Sequence, residues 1–372
     1  MRRVKCSICG ADCIKYGRTK AGSQRWFCKE CLVAFTEQIN SDAKELHLFL
    51  NWLFGKQTEA EMVGEGRTFR RKTARFWSYW ALPPKIEEPR DVVFVDGIYL
   101  ARKACILICC DKENVLGWYL CRYEHAQAWI ALMRRIAEPA VVVSDGGTGF
   151  QKALKKAWPG AEHQRCLFHV FCQVRRYTTG RPNTVAGTEL LSLARDLLSI
   201  ENTVEAQKWV KRFTDWIRKY QDFLAEMTID EYGHRRPTHE RLLKAERSLL
   251  RLIREDTLFT YLDKELGECK VPSTNNLIEG GVNAQLREML RNHRGLSVER
   301  RIKAVFWWCY MHSPEPLPLH EILKTMPTDQ SIAAIYKRMN QRDRLKESIP
   351  TWGDAIVWSD LHKSDFSFNE WD

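Results

Sequence analysis

Two apolar runs in this chain each end on an acid followed by glycine. Asp91 to Leu100, DVVFVDGIYL, reads as a buried strand carrying Asp96, and AVVVSDGG, from Ala140, reads as a second strand that stops on Asp145. An acidic side chain is seldom buried without a partner. Hard divalent cations such as Mg²⁺ take carboxylate oxygens and keep positions open for phosphate, so two strands that each deliver an acid suggest a shared cation site. Taken singly, each aspartate equally well caps the turn after its strand.

A different metal chemistry stands near the front. Cys6-Ser-Ile-Cys9 and Cys28-Lys-Glu-Cys31 are two knuckles separated by 18 residues. Thiolates with two residues between them both reach one tetrahedral Zn²⁺, and the stretch from Ile14 to Phe27 has the length of a short hairpin, which together make a structural zinc ribbon. Cys13 falls outside the paired spacing, as a spare thiol or a substitute for Cys9. Between the knuckles Lys15, Arg18, Lys20 and Arg25 alternate with Tyr16 and Trp26, the mixture of a surface that tracks phosphates. A solvated hairpin is the plain alternative.

The chain has 372 residues, room for two or three domains, and carries 58 Lys and Arg against 47 Asp and Glu. That balance favours a polyanionic partner, nucleic acid first. Residues 1–90 hold 17 of the bases and 10 of the acids, so the front looks like the docking end. The sequence opens without a signal-peptide pattern, contains no apolar run long enough to span a bilayer, and its thirteen cysteines fit a reducing cytoplasm.

The elements that must position these groups follow from periodicity. Ser41 caps a helix to about Phe54 with Leu46, Leu50 and Leu53 at helical spacing, and Thr58 with Glu61 opens a second, short one. A third is expected from Thr68 to Pro83, with Phe69, Phe76 and Trp80 on one face and Arg70, Arg71, Lys72 and Arg75 on the rest. Three short helices with a basic last one read as a helix-turn-helix whose last helix enters the major groove; a helical linker with a solvated face is the alternative. Beyond a proline-rich linker the order is three strands, a helix from His125 to Ile136, the strand ending at Asp145, a helix from Thr148 to Trp158 and a strand from Gln164 to Phe168. This α/β order is that of an RNase H-like mixed sheet, in which the first and fourth strands are neighbours.

On these residues the chain resembles the bacterial insertion-sequence transposases of the Mutator type. FVDG at Asp96, SDGG at Asp145, Cys166-Leu-Phe-His169 and Asn275-Asn-Leu-Ile-Glu279-Gly-Gly carry the likeness, which spans roughly Asp91 to Tyr310. The resemblance implies that Asp96, Asp145 and Glu279 hold two Mg²⁺ ions, which Mn²⁺ can replace, and that the Cys166–His169 pair is a family signature; Cys166, His169 and Asn276 read as the wall of the active site. A packed cysteine with a hydrogen-bonded histidine, or a metal pair, are the other readings of that motif. Asn276 lies three residues before Glu279, on one helical face with it. Resembling enzymes often carry a basic residue two turns after the glutamate, but here Leu286 is seventh and Arg287 eighth. Arg287, Arg291, His293, Arg294, Arg300, Arg301 and Lys303 would extend the basic surface.

The expected domains are a ribbon over 1–37, a helix-turn-helix over 41–82, the core over 91–186 and 273–312, an all-helical insertion over 187–272 and a tail over 313–372. Trp209 and Trp216 in the insertion suit a core better than base stacking. The implied activity is that of a DNA transposase that binds terminal inverted repeats, cleaves DNA at the element ends and joins 3′ ends to target DNA, working as a dimer or larger oligomer on duplex DNA with no membrane partner. A non-catalytic DNA-binding regulator and an RNase H-like nuclease are the rivals. Removal of residues 1–90 is expected to spare the core.

Overall fold

The computed structural model describes residues 4–343 apart from 7, 8, 21, 37–40, 265 and 267–269, so the acidic and aromatic stretch from Trp352 to Asp372 lies outside the described residues. The front is a small antiparallel sheet of β1 (Ile14–Arg18), β2 (Gln24–Cys28) and β3 (Val33–Thr36), in that order. Two helices follow, α1 (Ser41–Phe54) and α2 (Arg67–Thr73). The helix expected to reach Pro83 stops at Thr73, whose hydroxyl bonds back to the Phe69 carbonyl, and Ala74–Ser78 continues as a tighter 3-10 turn.

The central sheet consists of β4 (Val92–Leu100), β5 (Ala104–Cys110), β6 (Val115–Cys121), β7 (Val141–Ser144) and β8 (Glu162–Arg165), in the spatial order β6-β5-β4-β7-β8. The first three are antiparallel, while β7 runs parallel to β4 and β8 parallel to β7. The connections are α3 (Ala126–Met133) and α4 (Thr148–Ala157). The last strand ends earlier than the expected Phe168: Cys166 donates its N–H to the Ser144 carbonyl and its own carbonyl accepts the Val170 N–H, so α5 (Leu167–Thr178) begins there.

The insertion holds α6 (Val185–Asp196), α7 (Thr203–Lys219), α8 (Gln221–Ala225) and α9 (Glu240–Arg254). It is not wholly helical, because β9 (Met227–Ile229) and β10 (Arg235–Pro237) pair as a ribbon between α8 and α9. Asp230 closes that ribbon by accepting from Tyr232 and His234 N–H, a local turn that three-residue strands do not announce by periodicity. Trp209 and Trp216 are buried, with their indole N–H groups on the Leu193 and Ala186 carbonyls, so they belong to the core of the insertion. The chain then returns through a π-helical turn, Leu277–Val282, to α10 (Asn283–Asn292), α11 (Val298–Met311), α12 (Leu319–Thr325) and α13 (Asp329–Asp343).

Alternation along β4 assigns the two faces of the sheet. Val93 and Val95 meet Trp129, Leu132 and Phe150 of α3 and α4. Phe94 and Ile98 face the other way, into a cluster that contains Leu286 of α10, Trp307 of α11, and Leu46, Phe49, Phe69, Phe76 and Trp77 of the amino-terminal helices. Phe49 sits edge-on to Trp77 at 4.9 Å and to Trp307 at 6.3 Å between ring centres. Residues 41–82 and the sheet therefore share one core, and a cut at residue 90 would strip that face rather than spare it.

Two residues expected on the basic surface are inside. His293 is buried, with Nε2 on the Leu53 carbonyl and its ring 4.4 Å from Trp52. Lys303 is fully buried; its Nζ donates to the Trp77 carbonyl, to Glu299 and to both oxygens of Asp329 at 2.7 Å, and lies over the Trp80 ring. Trp80 Nε1 reaches Asp329 as well, at 2.7 Å. This group ties α13 to α11 and to the 3-10 turn. Asp329→Ala leaves a buried ammonium with the Trp77 carbonyl and, as its carboxylate, Glu299, and is expected to cost about 2–4 kcal/mol of stability. Urea denaturation measures this, and an unchanged midpoint would refute it.

Candidate active site

The register of β4 on β7 decides where the two aspartates emerge. Phe94 pairs with Val143, so Asp96 and Asp145 stand two residues further along parallel neighbours. Asp96 shares the face of Phe94 and Ile98. Its Oδ1 accepts the Gly97 N–H at 2.9 Å and its Oδ2 accepts Asn283 Nδ2 at 2.6 Å, while Asp145 Oδ1 accepts the Gly147 N–H at 3.0 Å. Asp145 thus caps the turn after β7, as the plain reading holds, whereas Asp96 lies within β4, which continues to Leu100, and the charge of Asp145 acts on it. Burial pushes the Asp96 carboxyl up to about 6, and the charges of Asp145 and Glu279 add to that push.

Glu279 arrives on the π-helical turn, which is anchored by the fully buried Ile278 against the face of Asp96. Asn275 sits just before it, buried, with its N–H on Cys166 Sγ at 3.2 Å and Nδ2 on the Val95 carbonyl at 3.0 Å. The expected neighbour Asn276 is exposed and its amide lies over Gly280, where a Cβ would come within 2.7 Å of Asn276 Oδ1. The buried amides at the site are Asn275 and Asn283, and the Oδ1 of each has no hydrogen-bond partner.

A π-turn takes in one extra residue. The eighth residue after Glu279 consequently falls where the seventh would stand on an unbroken α-helix, and the charge of Arg287 does act on Glu279. The one-residue offset in the sequence is absorbed by the backbone. Arg291 and Arg294 are exposed further along.

Glu279 leans on a second group. Its Oε1 lies 3.3 Å from His169 Nδ1, and Cys166 Sγ, a His169 ring nitrogen and a Glu279 oxygen all lie within 4.8 Å of one another. Among the described residues, Asp96, Asp145 and Glu279 do not form so tight a set. A hydrogen bond with Cys166 holds His169 above its ordinary pKa. Burial also raises the Glu279 carboxyl, outweighing the opposing charges of His169 and Arg287.

Two charged residues at the site carry no motif of their own. Glu124 crosses Gly97, where a Cβ would fall 2.5 Å from its Oε1; burial first, then Asp145 and Asp96, push its carboxyl up to about 7. The guanidinium of Arg165 occupies the space left open by Gly146, which has a positive φ of 72°, and its Nη1 is buried with no hydrogen-bond partner. The glycine after each aspartate is the available signal, since its missing side chain makes room for a charged neighbour.

At the front, Cys6, Cys9, Cys28 and Cys31 bring one sulfur each within 4.8 Å of the others, with Cys9 and Cys28 at 3.5 Å and Cys13 outside the set. Hydrogen bonding with Cys9 leads the effects that push the Cys31 thiol up to about 12, since four sulfurs so close resist joint ionisation without a cation. Arg18 and Lys20 are exposed, and Arg25 lies over the Tyr16 ring at 5.4 Å. Arg71 and Lys72 are exposed, Arg70 pairs with Glu59 at 3.0 Å, and Arg75 pairs with Asp42 and Glu45 at 2.8 and 2.7 Å.

The raised Asp96 carboxyl has a consequence for stability. An acid whose folded pKa exceeds its unfolded one binds protons preferentially when folded, so its ionisation destabilises the protein above about pH 6, and that cost fades as pH falls toward 4. Asp96→Asn is therefore expected to raise stability in EDTA by on the order of 1–2 kcal/mol at pH 8 and by little at pH 4. Urea midpoints at the two pH values test this; equal shifts would contradict it.

Comparison with known proteins places this arrangement. Residues 92–232 match the family of Mutator transposases. The chain is 29% identical over 154 residues to the transposase for insertion sequence element IS6120 of Mycolicibacterium smegmatis, covering 37% of this chain and 46% of that protein. It is 25% identical over 159 residues to the transposase for insertion sequence element IS905 of Lactococcus lactis subsp. lactis (strain IL1403), covering 38% and 40%. The matches span less than half the length of either relative. No helix among the described residues is long and apolar enough to cross a membrane. The family match begins on the strand of Asp96 and runs through Asp145 and the Cys166–His169 motif, so this stretch of the chain, residues 92–232, is similar to the Mutator family of transposases.

Proposed function

We propose that the protein is a DNA transposase that binds terminal inverted repeats, cleaves at the element ends and joins the freed 3′ ends to target DNA. The observation that carries this reading is the β4–β7 register, which brings Asp96 and Asp145 out side by side under a helix bearing Glu279. The strand order, with three antiparallel strands and two parallel ones after the first, supports an RNase H-like core.

The residues fit a divalent cation. Asp96 is pushed up by burial and then by the charges of Asp145 and Glu279, a strain that a cation relieves, and two buried amide oxygens nearby lack partners. Mg²⁺ ions held by Asp96, Asp145 and Glu279, replaceable by Mn²⁺, would supply Lewis-acid activation of the attacking oxygen and stabilisation of the leaving one. Gly97 N–H and Asn283 fix the Asp96 carboxylate, Gly147 N–H fixes Asp145, and Arg165 and Arg287 put positive charge where a scissile phosphate would lie. Phosphoryl transfer needs orientation and charge neutralisation, so no protein nucleophile is required. Cys166 and His169 form the adjoining wall.

The four-sulfur cluster fits a structural Zn²⁺ in a ribbon, whose exposed Arg18 and Lys20, with Arg25, would meet DNA phosphates. Arg71 and Lys72 of α2 and Arg287, Arg291 and Arg294 of α10 would extend that contact, with Arg70 and Arg75 shared between DNA and their acidic partners. A helix-turn-helix role for 41–82, assembly as a dimer or higher oligomer on DNA and a cytoplasmic site of action belong to the same reading.

Asp96→Ala, Asp145→Ala and Glu279→Ala should each reduce Mg²⁺-dependent joining of a labelled inverted-repeat duplex to a target plasmid by at least about a thousandfold while duplex binding persists. Joining by any of the three would reject its assignment, and cleavage without joining by the unaltered protein would favour a nuclease. Deletion of residues 1–36, which keeps the shared core, is expected to abolish preference for the repeat over random duplex in a gel-shift assay; undiminished preference would remove the ribbon from end recognition.

A further inference from the structure

We propose that Cys166, His169 and Glu279 form a binding site for a borderline-soft divalent cation of the Zn²⁺ class, separate in donor chemistry from the oxygen set at Asp96 and Asp145. In the sequence the Cys-x-x-His pair has no second pair beside it. The fold supplies the third donor from the π-helical turn, and one ligand atom of each residue lies within 4.8 Å of the other two.

The geometry is near that of a bound ion. Zinc bonds of about 2.0–2.3 Å set tetrahedral ligands roughly 3.3–3.8 Å apart. His169 Nδ1 and Glu279 Oε1 are already 3.3 Å apart, and the remaining separations need close by no more than about 1.5 Å. His169 Nδ1 is buried and has no well-formed hydrogen bond, although it faces a thiol and a carboxylate; a shared cation satisfies all three.

The supports of these donors are those of a ligand set. Cys166 is held at the start of α5 by its N–H on Ser144, and its sulfur accepts the Asn275 N–H at 3.2 Å, the outer contact that orients a ligating thiolate. His169 is three residues on, over the same helical face. A sulfur donor disfavours Mg²⁺ and selects borderline cations, and three protein donors leave the fourth position exchangeable. The His169 and Glu279 side chains are 33% and 28% exposed, which gives an ion access from solvent. Within the transposase reading, an ion held here draws Glu279 away from Asp96 and Asp145, so the two occupancies compete for one carboxylate.

The test uses the full chain with its ribbon cysteines first filled with one equivalent of Zn²⁺, followed by titration with Co²⁺. A further equivalent should bind with thiolate-to-cobalt charge-transfer absorption. Cys166→Ser should abolish that absorption, His169→Gln should weaken cobalt binding by about tenfold or more, and Cys13→Ser should leave it unchanged, all with unaltered circular dichroism. Absence of the band in the unaltered protein, or its survival in Cys166→Ser, overturns the site and leaves a hydrogen-bonded trio. If Cys166→Ser does not fold, His169→Gln decides alone, with unchanged cobalt affinity overturning the proposal. Failure of the transposase reading would instead appear as absent strand joining in Mg²⁺, whatever the cobalt spectrum shows.

Discussion

The parallel pairing of β4 with β7 is the constraint on which the rest depends. A slip of one residue would turn Asp96 from the face of Phe94 to that of Val95, away from the helix that brings Glu279. The register is fixed from both sides of the sheet, since Phe94 and Val143 share one apolar cluster and Val93 and Val142 the other. Burial then raises the free energy of the negative charges at Asp96 and Glu124, and that unfavourable electrostatics is what a cation would relieve.

The third carboxylate reaches the site by different means. Chain that leaves β8 passes through a helical subdomain with its own core, around Leu190, Phe213 and Leu249, before coming back. Its return is stitched to the sheet by backbone and amide contacts: Leu167 N–H on the Ser273 carbonyl, Asn275 on both Val95 and Cys166, and Asn283 on Asp96. The Asn275, Glu279 and Gly280 stretch therefore works as a docking strip as well as a carrier of an acid. Its π geometry, helped by two adjacent glycines, lets both Asn275 and Asn283 face inward although they are eight residues apart.

Much of this was legible in the sequence, and the limits have physical causes. Strands β4 to β7 announce themselves because runs such as VVFV and AVVV are continuous and bounded by turns, and the cysteine spacing marks the four-sulfur cluster without any tertiary information. Glu124 and Arg165 carry no signal in the sequence because a single charged residue at the end of an element has no period; only contact across the fold gives it meaning. Lys303 and His293 look like surface residues in the sequence because charge usually means solvent, whereas here Asp329, Glu299 and two carbonyls supply the partners that make burial tolerable. The basic face of 67–78 was legible, but not the depth to which its apolar face sinks beside Trp307.

That shared core bears on how the molecule transmits position. Phe69, Phe76 and Trp77 lie in one close-packed cluster with Phe94, two residues before Asp96 on the same strand. Close-packed interiors deform little. The exposed Arg71 and Lys72 on the outside of that segment are accordingly held at a set distance from the carboxylates, as the jaw of a caliper is held from its scale. A polyanion held there would be measured against the site by the packing itself, and a substitution that reshapes Phe76 or Trp77 would alter where along that polyanion the carboxylates come to rest.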